Sequence, residues 1–343
     1  MKPKSLIIII SAAMFLGGCA SSDRTEPITA ALSGGDFAGA ASLADEACAT
    51  FGRDKMLCRL RGIALLGEGD SEKAEEAFLE ALTYSNGIVE QTDIDISYYL
   101  AVAQYKNDDL EAAHSTADAI LAIRPDDDGA YYLRGKIGLE MGRKDEALSD
   151  FDRTVALAPN DYDRYVGIYE ELHARGYDSE AASYLEKAMT GGSRLSDYNK
   201  GVLEYYLGSY TDARNDLENA KKGGSSENLI LYLGRTYEAL GDAGYAMSLY
   251  EEYIRSDSSA GHVYEQLAKC RMAGGDYEGA LEAIEAGLSL GGKGAERELM
   301  FDRVVACENL YDFSSAKKYM EEYVALYPDD EVARRENVFL SSR

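Results

Sequence analysis

The chain has 343 residues, with 61 acidic against 35 basic side chains and a formal net charge of −26. Hydrophobic residues make up 46% of it, enough for a substantial core, which excludes a mainly disordered chain. The acid excess excludes a nucleic-acid binder, which needs clustered Lys and Arg on the phosphates, and disfavours adhesion to an anionic membrane by charge alone.

Residues 1–18 read as an export leader. Lys2 and Lys4 give a positive start, and the apolar run Leu6 to Leu16 is shorter than the ~20 residues a spanning helix needs. Leu16-Gly17-Gly18-Cys19 follows at once and resembles the bacterial lipobox, an apolar residue and two small ones before a cysteine. The resemblance implies that Cys19 is the lipidated first residue of the mature chain. Ala20 and Ser21 follow where an inner-membrane-retaining Asp would stand, which favours the outer membrane if the cell has one. The expected location is therefore the extracytoplasmic side of a bacterial envelope. Residues 19–26 are small and polar and read as a lipidated tether.

From there a period of about 34 residues runs to the C-terminus. Nine alanines mark it, at 40, 74, 113, 147, 181, 213, 246, 280 and 316. Five residues before seven of them stands a glycine, at 35, 69, 142, 176, 208, 241 and 275, while Asp108 and Tyr311 hold that place in the third and ninth copies. Each unit has two amphipathic stretches at helical spacing, separated by this residue, which suits the positive φ of a helix C-terminus. Pro125, Pro159 and Pro328 each lie twelve residues after an anchor alanine, where the second helix should stop. Pro27 falls near the start of the first helix, so no proline is expected inside one. Asp126-Asp127-Asp128 fits helix capping, since it lacks the alternating ligands and distal Glu of a calcium loop.

The clearest copy is Leu233-Gly234-Arg235-Thr236-Tyr237 followed by Gly241, Ala246 and Tyr250; a second has Gly135, Gly142, Ala147, Phe151 and Pro159. These resemble the tetratricopeptide repeat. The resemblance covers nearly the whole mature chain and implies an all-α fold, a right-handed superhelical solenoid of about nine helix-turn-helix repeats over 27–330. Residues 89–93 are an insertion and a possible hinge. Residues 331–343 are expected to form a closing helix that caps the open end of the array.

The search for catalytic chemistry finds no constellation. His114, His173 and His262 are not in metal-ligand spacing, so no metal or cofactor is expected. Gly291-Gly292-Lys293-Gly294 lacks the Ser or Thr of a phosphate loop, and no nucleophile elbow occurs. The expectation is that the chain is not an enzyme. Besides Cys19 there are four cysteines, Cys48, Cys58, Cys270 and Cys307. Cys48–Cys58 and Cys270–Cys307 are candidate disulfides in an exported chain, the alternative being four buried thiols.

First helices should line the inner face of the stack, and residues at i, i+4 and i+7 share that face. The candidate protein-binding residues are Tyr98, Val102, Tyr105, Tyr132, Lys136, His173, Tyr198 and Tyr205. Tyrosine offers broad apolar contact and a hydroxyl at low entropic cost, which suits a peptide groove, though packing between first helices uses the same residues. The expected function is a membrane-anchored, non-enzymatic scaffold or adaptor for an extracytoplasmic protein or peptide segment, which the acid excess would favour being basic. Related lipoproteins serve in outer-membrane protein assembly, pilus assembly or docking of cell-wall hydrolases. The alternative is a small-molecule or cell-wall glycan capture protein, which would need an enclosed pocket of aromatic and amide groups.

Overall fold

The computed structural model describes residues 22–191, 195–290, 295–328 and 330–342. These form nineteen helices, with no strand among the described residues. In chain order they are α1 (Ser22–Ser33), α2 (Phe37–Phe51), α3 (Lys55–Glu68), α4 (Ser71–Thr83), α5 (Gln91–Lys106), α6 (Leu110–Ile123), α7 (Asp128–Glu140), α8 (Lys144–Leu157) and α9 (Tyr162–His173). There follow α10 (Asp178–Thr190), α11 (Asp197–Tyr206), α12 (Tyr210–Lys221), α13 (Glu227–Ala239), α14 (Ala243–Ser256), α15 (Gly261–Ala273), α16 (Tyr277–Leu288), α17 (Glu296–Asn309), α18 (Phe313–Leu326) and α19 (Glu331–Ser341). The nine helix pairs and the closing helix thus stand where the repeat places them. Two compact units result, one through Arg175 and one from Gly176, so the boundary falls between α9 and α10 of the fifth pair.

Local chemistry sets the turns. The seven turn glycines have φ between 74° and 90°. Asp108 and Tyr311 keep the same left-handed turn, at φ 65° and 62°, against the penalty a Cβ imposes there. The next helix then starts on an aspartate: Asp36, Asp70, Asp109, Asp242, Asp276 and Asp312 each accept a hydrogen bond from the backbone N–H three residues on. Each such cap is worth about 1 kcal/mol. Pro125, Pro159 and Pro328 lie two residues beyond the last helical residues Ile123, Leu157 and Leu326. Asp127 caps α7 by accepting from Ala130 N–H.

Packing follows the size pattern. All nine anchor alanines are buried. One turn after the anchor, Phe151 and Tyr250 lie flat on Gly135 and Gly234 of the preceding helix. A Cβ at Gly135 would sit 2.6 Å from the Phe151 ring, and one at Gly234 2.3 Å from Tyr250. Glycine there is a condition of close helix crossing. At the far end, α19 buries Ala333 and Leu340 against Met320 and Tyr323 of α18. Its cap Asp330 takes hydrogen bonds from Arg297 and Tyr323, each at 2.9 Å.

Three expectations are corrected. Residues 22–26, read as tether, form the first turn of α1, and Pro27 lies inside that helix. Tertiary contacts compensate the lost hydrogen bond: Thr25 and Ile28 are buried, and Arg24 pairs with Asp54 at 2.7 Å. Residues 89–93 are not a break between units. Glu90 precedes α5 and donates its N–H to Asp93 at 2.8 Å, and Lys55 of α3 pairs with Asp93 at 2.8 Å and Glu90 at 3.2 Å. The boundary lies instead at residues 175/176. The leader, Cys19 and the 291–294 loop lie outside the described residues.

Candidate functional site

In the first unit the sequence candidates sit on successive first helices, α5, α7 and α9, and those on α5 and α7 bind these helices to each other. Tyr98 of α5 donates its hydroxyl to the carboxylate of Asp127 at the start of α7. Burial, then Asp127, drives its pKa far above the usual phenol value. Tyr105, also buried, donates to Glu140 Oε1 at 3.0 Å. Val102 is buried between them. On α7, Tyr132 packs on Phe151 at 5.9 Å, with the Arg164 guanidinium of α9 4.5 Å from its ring centre. Lys136 is buried and pairs with Glu171 at 2.6 Å, while Arg175 bridges Glu171 and Glu140.

This ladder has a clear physical meaning. Carboxylates and cations of a half-buried face are matched pair by pair, so desolvation is compensated within the array. The side chains of Tyr98, Val102, Tyr105, Tyr132 and Lys136 are thereby taken up by repeat-to-repeat packing. Among the first-unit candidates His173 alone is exposed, stacked on Tyr169 at 5.3 Å.

The second unit differs. Tyr198 and Tyr205 of α11 meet Tyr232 of α13 at ring distances of 6.4 and 5.8 Å. Tyr206 and Tyr210 join them: Tyr206 lies 6.0 Å from Tyr232, with the two hydroxyls 3.2 Å apart, and Tyr210 lies 5.8 Å from Tyr205. All five rings are half-buried. Edge-on contacts predominate, the favoured geometry of aromatic quadrupoles. Burial raises the pKa of Tyr205, and the nearby Arg235 guanidinium acts the other way. Arg235 is half-exposed and has no ion pair among the described residues.

Sequence reasoning brought Tyr198 and Tyr205 to this place and missed Tyr206, Tyr210 and Tyr232. In α13 Tyr232 carries the contact, while its neighbour Leu231 is buried. Two signals were available: Tyr232 follows Tyr198 by 34 residues, one repeat, and the stretch around Gly208 is dense in tyrosine.

Farther along the same unit the first helices α15 and α17 carry charged side chains of both signs. Glu265 of α15 pairs with Lys269 and lies 3.6 Å from His262, which raises the pKa of the imidazole. Asp302 of α17 is pushed up to about 6, first by burial and then by Glu265 and Glu298, with Lys269 opposing. Its Oδ2 is buried without a hydrogen-bond partner.

The candidate disulfides are not formed: all four cysteines are free thiols, three of them buried. Burial pushes Cys58 up to about 12 and Cys270 up to about 11, so neither is poised as a thiolate. Cys48 and Cys58 are close enough to influence one another electrostatically. No group of three or more His, Cys, Asp or Glu side chains is arranged to hold a metal ion among the described residues. One open cleft of about 280 Å³ in the second unit is lined by Tyr264, Ile254 and Leu267 with Glu251, Arg255 and Arg271 among its charged groups, and by none of the amide side chains a sugar site uses.

Comparison with known proteins agrees with the helix pairs. Residues 28–87 and 128–161 match models of the tetratricopeptide repeat, and residues 94–143 match the Fis1 C-terminal tetratricopeptide repeat. The DnaJ homolog subfamily C member 7 homolog of Schizosaccharomyces pombe is 23% identical over 188 residues, 54% of this chain and 37% of that protein. The chain thus spans little more than a third of that relative's length. A tetratricopeptide repeat protein from Parabacteroides merdae superposes with a TM-score of 0.48 at 15% identity, over 84% of this chain and 99% of the other. MamA from Desulfovibrio magneticus gives 0.42 at 20% identity, over 50% and 94%. PilW, a widely conserved type IV pilus biogenesis factor, gives 0.41 at 16%, over 72% and 99%.

Proposed function

We propose that this chain, an all-α array of tetratricopeptide repeats, is a non-enzymatic scaffold that holds a protein partner on the first-helix face of its second unit. It does so from a lipid anchor at Cys19, on the extracytoplasmic side of a bacterial envelope, in the outer membrane if the cell has one. The observation that carries the binding face is the cluster of five half-buried tyrosines around Tyr232 beside Arg235. Tyrosine and arginine are the residues that dominate binding energy at protein interfaces, because rigid amphipathic rings lose little entropy on contact.

The acid excess of the chain, with four carboxylates against two arginines on α17, supports a partner segment with basic residues. The anchor is supported by the order of basic start, short apolar run and lipobox-like Leu16-Gly17-Gly18-Cys19.

Photo-crosslinking in intact cells tests the face. A crosslinking side chain replaces Arg235, and a second replaces Glu252, two-thirds exposed on α14, as control. A discrete protein adduct at position 235 and none at 252 is expected, and mass spectrometry of it names the partner. Absence of any protein adduct at 235 refutes the groove and moves glycan or small-molecule capture ahead.

A further inference from the structure

The first unit has two edges. One carries the turns at Gly35, Gly69, Asp108 and Gly142, and the other carries the N-termini of its first helices and the C-termini of its second helices. Among the described residues, every exposed large hydrophobic side chain of this unit lies at the second edge or within about a turn of it. Phe51 ends α2 at 61% exposure, Tyr84 follows α4, Ile88 and Val89 stand at 70% and 53% in the connection to α5, and Ile123 ends α6 at 51%. Met56 and Leu79 complete the set. The turn edge has none.

Two further facts bear on what covers this edge. The chain enters the fold there: α1 starts at Ser22, and Arg24 pairs with Asp54 of the 52–54 connection at 2.7 Å. Two residues, Ala20 and Ser21, separate Cys19 from Ser22, and the three residue steps between them reach about 10 Å at most. Several carboxylates of the edge also carry a cation. Besides Arg24–Asp54, Arg53 meets Glu80 at 2.6 Å, and Lys55 meets Asp93 at 2.8 Å and Glu90 at 3.2 Å. On a chain of net charge −26 these cations lower the repulsion between this strip and an anionic headgroup layer.

We propose that this edge is a lipid-contacting surface that rests in the bilayer interface and fixes the orientation of the first unit on the membrane. The proposal rests on the Cys19 anchor of the preceding subsection. An acyl chain supplies attachment, and the loop aromatics and aliphatics supply the second, shallow contact that fixes orientation. Tyr84 and Phe51 have the apolar bodies that such a layer accepts.

The absence of tryptophan makes the test direct. Ile88→Trp gives a single reporter in an exposed connection, and Tyr245→Trp, at a 42% exposed position of the second unit, serves as control. Each full-length mature chain, purified from membranes, is reconstituted in phosphatidylethanolamine–phosphatidylglycerol vesicles with brominated acyl chains. Ile88→Trp emission is expected to shift to shorter wavelength and be quenched, while Tyr245→Trp stays water-like. An Ile88→Trp chain that pellets with vesicles while its indole stays water-exposed overturns the edge and leaves the anchor standing. A chain that stays in solution, with Cys19 unmodified by mass spectrometry, overturns the anchor and the edge with it. A Cys19→Ser chain, purified without detergent, whose Ile88→Trp emission is already shielded shows a protein segment on the edge and also overturns the proposal.

Discussion

Glu204 offers a stability change whose sign and size follow from its surroundings. It sits in α11 at 7% exposure, facing Asp216 of α12, with one cation between them: Lys200 Nζ lies 3.2 Å from Glu204 and 2.6 Å from Asp216. Its Oε2 is buried with no hydrogen-bond donor. Burial, and then Asp216, push its pKa up to about 7 from an ordinary 4.5. The folded state therefore holds a proton that the unfolded state has released between these values. Stability is unpenalised below pH 4.5, falls as pH rises toward 7, and bears the whole penalty above it. At 1.36 kcal/mol per pH unit that penalty is roughly 3 kcal/mol. Glu204→Gln keeps the size and cannot ionise. At pH 8 it should stabilise the α11–α12 pair by up to about 3 kcal/mol, slowing amide exchange there by as much as about a hundredfold, with little effect near pH 4.5. Hydrogen exchange read peptide by peptide avoids assuming one cooperative transition for a chain of two compact units. Equal exchange of variant and parent at pH 8, or an effect independent of pH, would refute the carboxyl-pair reasoning.

Other substitutions test the packing and the turns. Tyr311→Gly removes a Cβ from a φ of 62° on an 82% exposed residue and should raise stability by about 1 kcal/mol in urea unfolding; a loss would show the strain is absent. Gly135→Ala drives a methyl to 2.6 Å from the Phe151 ring and should cost about 1–3 kcal/mol, part of which a second change, Phe151→Leu, should restore. His262 is raised by Glu265, so that contact stabilises below the ordinary histidine value and fades as pH rises through the raised one. In an NMR titration Glu265→Gln should bring the His262 midpoint down, and an unchanged midpoint would break the link.

The candidate site was only partly legible. Tyrosines at helical spacing were expected to share a face, and Tyr198 and Tyr205 do meet one ring, that of Tyr232. The same spacing serves packing between first helices, and in the first unit packing prevails. Tyr98 finds Asp127, Tyr105 finds Glu140, and Lys136 finds Glu171. Each partner lies about one repeat away in sequence, so no local pattern discloses it. Tyr232 escaped for a similar reason: one residue is about 100° around a helix, and a register carried from distant alanines does not resolve that angle where one repeat is a residue shorter.

Helix number, helix ends and pair order were determined by the sequence alone, because those signals are local. A glycine or tolerant residue takes positive φ, an aspartate caps the next helix, a proline follows its end, and an alanine every ~34 residues sets the crossing. The tertiary structure alone decided what depends on neighbours far along the chain. It drew α1 back to Ser22 through Pro27, by burying Thr25 and Ile28 and pairing Arg24 with Asp54. It turned residues 89–93 from hinge into helix start by placing Lys55 over Asp93. It also gathered five tyrosines from three helices into one cluster, since contact between rings depends on how helices pack, which no single helix encodes.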